Sequence, residues 1–388
     1  MHDNSLISTR RNSNMELLRI VAMLMIVVYH IFRHCLYAQL TDGNIIAARG
    51  TDYFCCPEFS KRLMLLAAIA PLGNVGNDIF MLVSGFFMSS NEGGQIDLTK
   101  ISKKIFSQFL FSCLTLTIMS IMMYVFFYFV LGHKVYITLV SLKDVNEQYW
   151  YVGYYFLVIV LARIFLNDFL AKLEKKQYLM FTASMFALMQ FVWSRSLVSN
   201  ISDGLEILCT GIFLYSLGGY IRKYNPFDSL KTWALIAAII VLFATVLLNF
   251  YVTTTDKIIL YNFEGSQRFI QSVPLYKDYE FIPVCMGVAI FELFRRMKTS
   301  KSKVINFFGA ATFMIYLLHD SSFFYVLWDK KDWIGALHNN MADFAVSYLL
   351  WVLGLFLFGA LMYFVFQILI RLANKCRPFV TKQEQPRR

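Results

Sequence analysis

Charge is what this sequence has least of: 16% of its 388 residues are Asp, Glu, Lys or Arg, while 58% are hydrophobic and the mean hydropathy is +0.54. That poverty excludes a soluble globular chain and makes this a polytopic membrane protein. The apolar runs are continuous rather than alternating, which excludes a β-barrel, since a continuous run satisfies its backbone in lipid only as a helix. There is no low-complexity linker, no repeat of clear period and no connection long enough to fold as a soluble domain, the longest running over about 38–66. Any chemistry must therefore be done by helices and their loops. Cysteine is sparse, and no Cys/His spacing matches a zinc site, so no metal is expected. Cys113, Cys209 and Cys285 fall in apolar runs as small packing residues, while Cys35, Cys55 and Cys56 lie by the first outer loop, where an oxidising compartment would permit a disulfide. A cleavable leader is also lacking: the first apolar run follows a polar arm, is long enough to span and has no small-residue cleavage site.

What the chain does contain is ten apolar stretches, approximately 17–37, 67–89, 105–131, 150–168, 177–193, 204–221, 233–252, 279–296, 304–328 and 343–370. Each is long enough to cross ~30 Å of hydrocarbon as a helix. The expected fold is an all-α bundle of about ten transmembrane helices. A cytoplasmic arm occupies 1–14, the membrane domain 15–372 and a basic cytoplasmic tail 373–388. Both termini are assigned to the cytoplasm because Arg10, Arg11, Lys100, Lys103, Lys104, Arg295, Arg296 and the basic tail then share one side, which holds most of the Lys and Arg. The net charge of +11 reads as topology and anionic-lipid contact, not as a nucleic-acid footprint.

Within the first stretch stand Arg19 and His30, two side chains that are costly to bury in lipid and are functional candidates for that reason. Eleven residues at ~100° each return to within ~20° of the same helix face, and a rise of ~1.5 Å per residue separates the two groups by ~16 Å. An arginine near the first turn can instead snorkel to the headgroups, and a histidine can be a hydrogen-bonded core residue. The second stretch carries Asp78 among Gly73, Gly76, Ser84 and Gly85. A carboxylate at that depth needs a partner, and a cation or imidazole of the first helix is the natural one, although a capping or kinking role is the simpler alternative. The ninth stretch carries Tyr316 and His319, the latter at the same depth as His30 and able to position substrate or His30 or to make a purely structural hydrogen bond. Tyr149 and Trp150 open the fourth helix as an interfacial aromatic belt or a sugar-stacking platform, and Lys103 and Lys104 precede the third as positive-inside charge or as contacts for an anionic cofactor.

At these residues the chain resembles the membrane acyltransferase 3 family. The resemblance rests on Arg19, ten intervening residues and His30; on Phe80-x-x-x-Ser84-Gly85-Phe86; and on Tyr316-Leu-x-His319. Two departures stand out: Met81 follows Phe80 where the family often has paired phenylalanines, and Lys103-Lys104 replaces an arginine-rich stretch followed by proline. The resemblance implies an O-acetyltransferase moving acetyl from cytoplasmic acetyl-CoA to a hydroxyl of an envelope, capsule or exopolysaccharide carbohydrate, lipid-linked or polymeric. It further implies a multi-pass protein of a bacterial cell membrane. The catalytic candidates are then His30, Asp78 and His319, with Arg19, Lys103 and Lys104 toward the cofactor and Tyr149, Trp150 and Tyr316 toward the acceptor. His30 would serve as general base or as an acyl relay, with Asp78 orienting its ring. The competing class is a lipid-linked saccharide transporter or flippase, against which counts the lack of matching broken helices in the two halves.

Overall fold

A helix is the one structure in which a continuous apolar run carries its own hydrogen bonds, and each of the ten expected stretches is mainly helical over its described part in the computed structural model. The structure describes residues 12–49, 57–89, 96–130, 149–190, 202–253, 258–263, 266–271 and 273–380. Cys55 and Cys56 lie outside them, and Cys35 is a buried free thiol. The principal helices are α1 (Ser13–Ile31), α2 (Pro57–Ile69), α3 (Leu72–Met88), α4 (Leu98–Val125), α5 (Trp150–Leu161), α6 (Lys175–Gln190), α7 (Ser202–Tyr224), α8 (Thr232–Thr253), α9 (Phe281–Arg296), α10 (Lys303–His319), α11 (Ser322–Trp328) and α12 (Met341–Val380). A π-helical turn, Phe32–Leu36, extends α1 outward.

Seven helical segments of the described chain are long and apolar enough to cross a membrane, and the bent pair α10–α11 makes an eighth. Of the other two expected spans, α6 is described over Lys175–Gln190 and α9 has 16 residues. At 1.5 Å per residue α9 reaches about 24 Å, short of the hydrocarbon thickness. The stretch expected as one helix over 304–328 is instead broken, with a bend of 71° between α10 and α11. Asp320 and Ser321 leave the helical region there, Ser321 being fully extended at φ −138°, ψ 145°. A two-stranded antiparallel hairpin, Ile258–Phe263 with Ser266–Gln271, sits in the connection between α8 and α9, where hydropathy carries no signal.

The helix α1 packs against α3 and α10 and also touches α9 and α12, while α3 lies against α1, α7 and α9. The interior is therefore formed by the helices that carry the polar candidates, whereas α4 and α8 turn Phe106, Leu110, Ile240 and Leu248 outward. Close approach comes from small residues, as is usual where helices associate in lipid. A Cβ on Gly85 would lie 2.0 Å from the Tyr215 carbonyl oxygen, and one on Gly218 would lie 2.4 Å from the Leu82 carbonyl oxygen. The Ser84-Gly85 segment is thus the point where α3 and α7 touch backbone to backbone. At the same end, Arg222 donates to the carbonyls of Phe86 and Phe87, and Arg295 and Arg296 each hold the buried Glu292 carboxylate at 2.7 Å.

Gly85→Val and Gly218→Val should each lower the melting temperature in detergent, because overpacking a tight contact costs ~1–3 kcal/mol or more. Gly354→Ala is the control, since nothing stands within 4 Å of a Cβ there. Equal melting temperatures for all three would contradict the close contact.

Candidate active site

The last four carbonyls of a helix have no partner within it, and within a membrane they must find one elsewhere. At the broken end of α10 side chains supply them. The Tyr149 hydroxyl donates to Leu317 O at 3.0 Å, and the Ser321 hydroxyl donates to Leu318 O at 3.2 Å. His319 Nδ1 lies 2.8 Å from Tyr316 O and 3.1 Å from Ile315 O. A carbonyl can only accept, so Nδ1 of His319 carries the hydrogen and its Nε2 keeps the lone pair. His30 Nδ1 stands 2.7 Å from that Nε2, so it is the donor. The two rings are parallel to within 3° with centroids 4.8 Å apart, as an edge-to-edge N–H···N bond requires. The tautomer passes along the chain from backbone carbonyl to His319 to His30. Its end point is Nε2 of His30, an unprotonated nitrogen with no hydrogen bond among the described residues.

Asp320 Oδ2 is 3.5 Å from His30 Nδ1. A carboxylate at that separation favours the imidazolium form over the neutral ring. Asp78, the carboxylate expected to meet His30, makes neither a hydrogen bond nor an ion pair with it. Asp78 is buried against α9, where a Cβ on Gly287 would lie 3.2 Å from its own Cβ, and its Oδ2 has no hydrogen-bond partner among the described residues. It looks toward α9 while His30 looks toward α10. Nearby, Asp278 accepts from Asn77 at 3.4 Å, and burial pushes its carboxyl up to about 7 although that hydrogen bond pulls the other way.

Arg19 sits on the same helix as His30, and its guanidinium donates to Glu16 at 3.2 Å and to Thr312 at 3.4 Å. It borders a cavity of about 280 Å³ that also takes in Lys104, Phe80, Ser84, Tyr151, Tyr155 and Tyr316. The cavity runs from these cations to Ile26 and Tyr316, one turn short of His30 and His319 respectively. Lys103 is exposed and borders none of it. Of the aromatic candidates, Tyr316 lines the cavity, Tyr149 is committed to the α10 carbonyl, and Trp150 is 39% exposed. The cavity wall is made by their neighbours Tyr151 and Tyr155, an i, i+4 pair on one face of α5.

Two residues at the centre escaped the sequence reading. His34, in the π-helical turn, has its ring 5.7 Å from that of His30 and its Nε2 3.7 Å from Asp320 Oδ1. The available signals were slight: His34 follows His30 by four positions, and Asp320 is adjacent to His319. Single π turns inside helices recur at functional sites.

A histidine pair with a set tautomer, buried in a helical membrane bundle beside a cation-headed cavity, is the equipment of an intramembrane group-transfer enzyme. An acyltransferase domain model of the acyltransferase 3 type matches residues 12–371, nearly the whole chain. The chain belongs to that family, as its motifs suggested, and is a multi-pass membrane acyltransferase. No curated protein and no solved structure matches it.

Nitrogen-15 spectra of histidine-labelled protein should show His30 protonated at Nδ1 and bare at Nε2 at neutral pH, with His319→Ala abolishing that bias. The opposite tautomer in the unaltered chain would contradict the hydrogen-bond chain described here.

Proposed function

We propose that the protein is an O-acetyltransferase that carries acetyl from cytoplasmic acetyl-CoA to a hydroxyl of an envelope, capsule or exopolysaccharide carbohydrate. The observation that carries this reading is the bare Nε2 of His30, held in place by the His319 hydrogen bond. His30 Nε2 takes the acceptor hydroxyl proton as the oxygen attacks the thioester carbonyl. The tetrahedral intermediate collapses, the C–S bond breaks, and the imidazolium returns its proton to the leaving thiolate. Acceptor and acetyl-CoA thus give ester and CoA thiol. Asp320 steadies the transient imidazolium, and His319 acts as a positioning residue. Asp78 is retained as a candidate acting from behind the site. In the acyl-relay variant, Nε2 itself attacks the thioester and the acceptor displaces the acyl group from it.

The donor enters by the cavity. Arg19 spends two of its five N–H groups on Glu16 and Thr312 among the described residues, which leaves donors for phosphate oxygens. Lys104 joins it, and Lys103 contributes charge from outside the cavity. The ~16 Å from Arg19 to His30 along α1 is the reach of an extended thioester arm. Tyr316 lines that cavity close to His30, where the thioester would lie, while Tyr149 holds the end of α10 and Trp150 stands at a more exposed edge. In this reading both termini are cytoplasmic, so that Arg19 and Lys104 face the compartment that holds acetyl-CoA, and the enzyme belongs to a bacterial cell membrane.

Purified protein should release CoA from acetyl-CoA in the presence of unacetylated surface polysaccharide. His30→Ala should lose at least ~100-fold of that rate, the usual worth of a general base, with an unchanged melting temperature. Arg19→Ala should weaken acetyl-CoA binding about 10-fold, as loss of a charge-assisted hydrogen bond does. Full activity of His30→Ala, or unaltered affinity in Arg19→Ala, would refute the respective role.

A further inference from the structure

His34 stands on the other side of His30 from the cavity. Arg19, Ile26 and His30 follow one another along α1, and His34 comes one turn later in the π-helical segment. Its side chain is 37% exposed, against 16% for His30 and 7% for Asp320, so the histidine pair opens outward at His34. Asp320 and Tyr325 flank it, and three buried polar atoms of this segment have no hydrogen-bond partner among the described residues: Asp320 Oδ1, the Tyr325 hydroxyl and Ser322 Oγ of the same α11 start. Asp320 is 5% exposed, and its Oδ1 comes no nearer than 3.7 Å to His34 Nε2, which is too long for a hydrogen bond. The Tyr325 ring stacks on His34 with centroids 4.3 Å apart, which makes a flat wall. Buried polar groups are almost always satisfied, and three orphans within six residues of chain, one of them on the carboxylate that faces the proposed base, point to a ligand that completes them.

The chemistry of the orphans selects the ligand. A carboxylate oxygen can only accept, whereas serine and tyrosine hydroxyls can donate or accept. An anionic group would be repelled by Asp320. A neutral group with several hydroxyls matches all of them. We infer that His34, Asp320, Ser322 and Tyr325 form the acceptor site, and that it takes a vicinal diol: one hydroxyl meets Nε2 of His30, and its neighbour donates to Asp320 Oδ1. This rests on the acyl-transfer reading above. It adds that the two substrates approach His30 from opposite ends of α1, and that acylation falls next to a free hydroxyl.

The test uses the full chain in detergent with radiolabelled acetyl-CoA and unacetylated surface polysaccharide. His34→Gln and Tyr325→Phe should raise the acceptor KM by about 10-fold, the usual worth of a hydrogen bond to a charged or desolvated group, while acetyl-CoA affinity and melting temperature stay put. A second measurement needs no variant: saturating polysaccharide should slow carbethoxylation of His34 in the unaltered protein, read by mass spectrometry. Unchanged acceptor KM, or no protection of His34, with normal CoA release overturns the acceptor site alone. Failure of the unaltered protein to release CoA overturns the acyl-transfer reading and this inference with it.

Discussion

The structure depends on one constraint: a helix that stops inside a membrane must satisfy its terminal carbonyls without water. α10 stops at His319, and the carbonyls of Ile315 and Tyr316 are met by the histidine's own Nδ1. That bond is a local matter of helix capping, yet it decides the chemistry a helix away. With Nδ1 occupied, Nε2 of His319 can only accept, His30 must donate to it, and the remaining nitrogen of His30 is left as a base. The same break turns the chain by 71° and brings Asp320 to both His30 and His34. Tyr149 and Ser321 complete the capping, so a tyrosine just before α5 and a serine from the break hold the geometry that the histidines use.

α1 supplies the other half of the arrangement. It is an uninterrupted helix from Ser13 to Ile31, and so holds Arg19 and His30 at a set distance on one face. Its neighbours approach it closely. A Cβ on Gly76 would lie 2.6 Å from the Ala22 carbonyl oxygen, and one on Gly309 would lie 2.2 Å from the Glu16 carboxylate that pairs with Arg19. Small residues therefore bring α3 and α10 against α1, one on each side of the cavity.

Legibility varied by residue for physical reasons. Arg19, His30 and His319 stood out because an ionisable group in an apolar run is expensive wherever the helix turns, and the pairing of the two histidines followed from their depth. Asp78 stood out for the same cost but was matched to the wrong partner. Helical periodicity gives a residue's angle about its own axis, whereas its partner depends on which helix packs on that side; α9 packs there. His34 and Asp320 were nearly silent because both lie where regular helix gives way, in a π turn and at a break. Tyr149 reads in sequence as an interfacial aromatic or a sugar-stacking platform, yet its hydroxyl is buried on a carbonyl that exists as an orphan only because α10 ends.

By itself the sequence determined the class of molecule, the position of most principal helices though not of α2 or of the break between α10 and α11, the family, and the shared face of Arg19 and His30, because burial cost and helical period act along the chain alone. Only the tertiary structure decided which carboxylate attends His30, which tautomer the histidines hold, and which aromatic residues wall the cavity. Those depend on contacts between helices distant in sequence, and on two departures from regular helix that hydropathy cannot register.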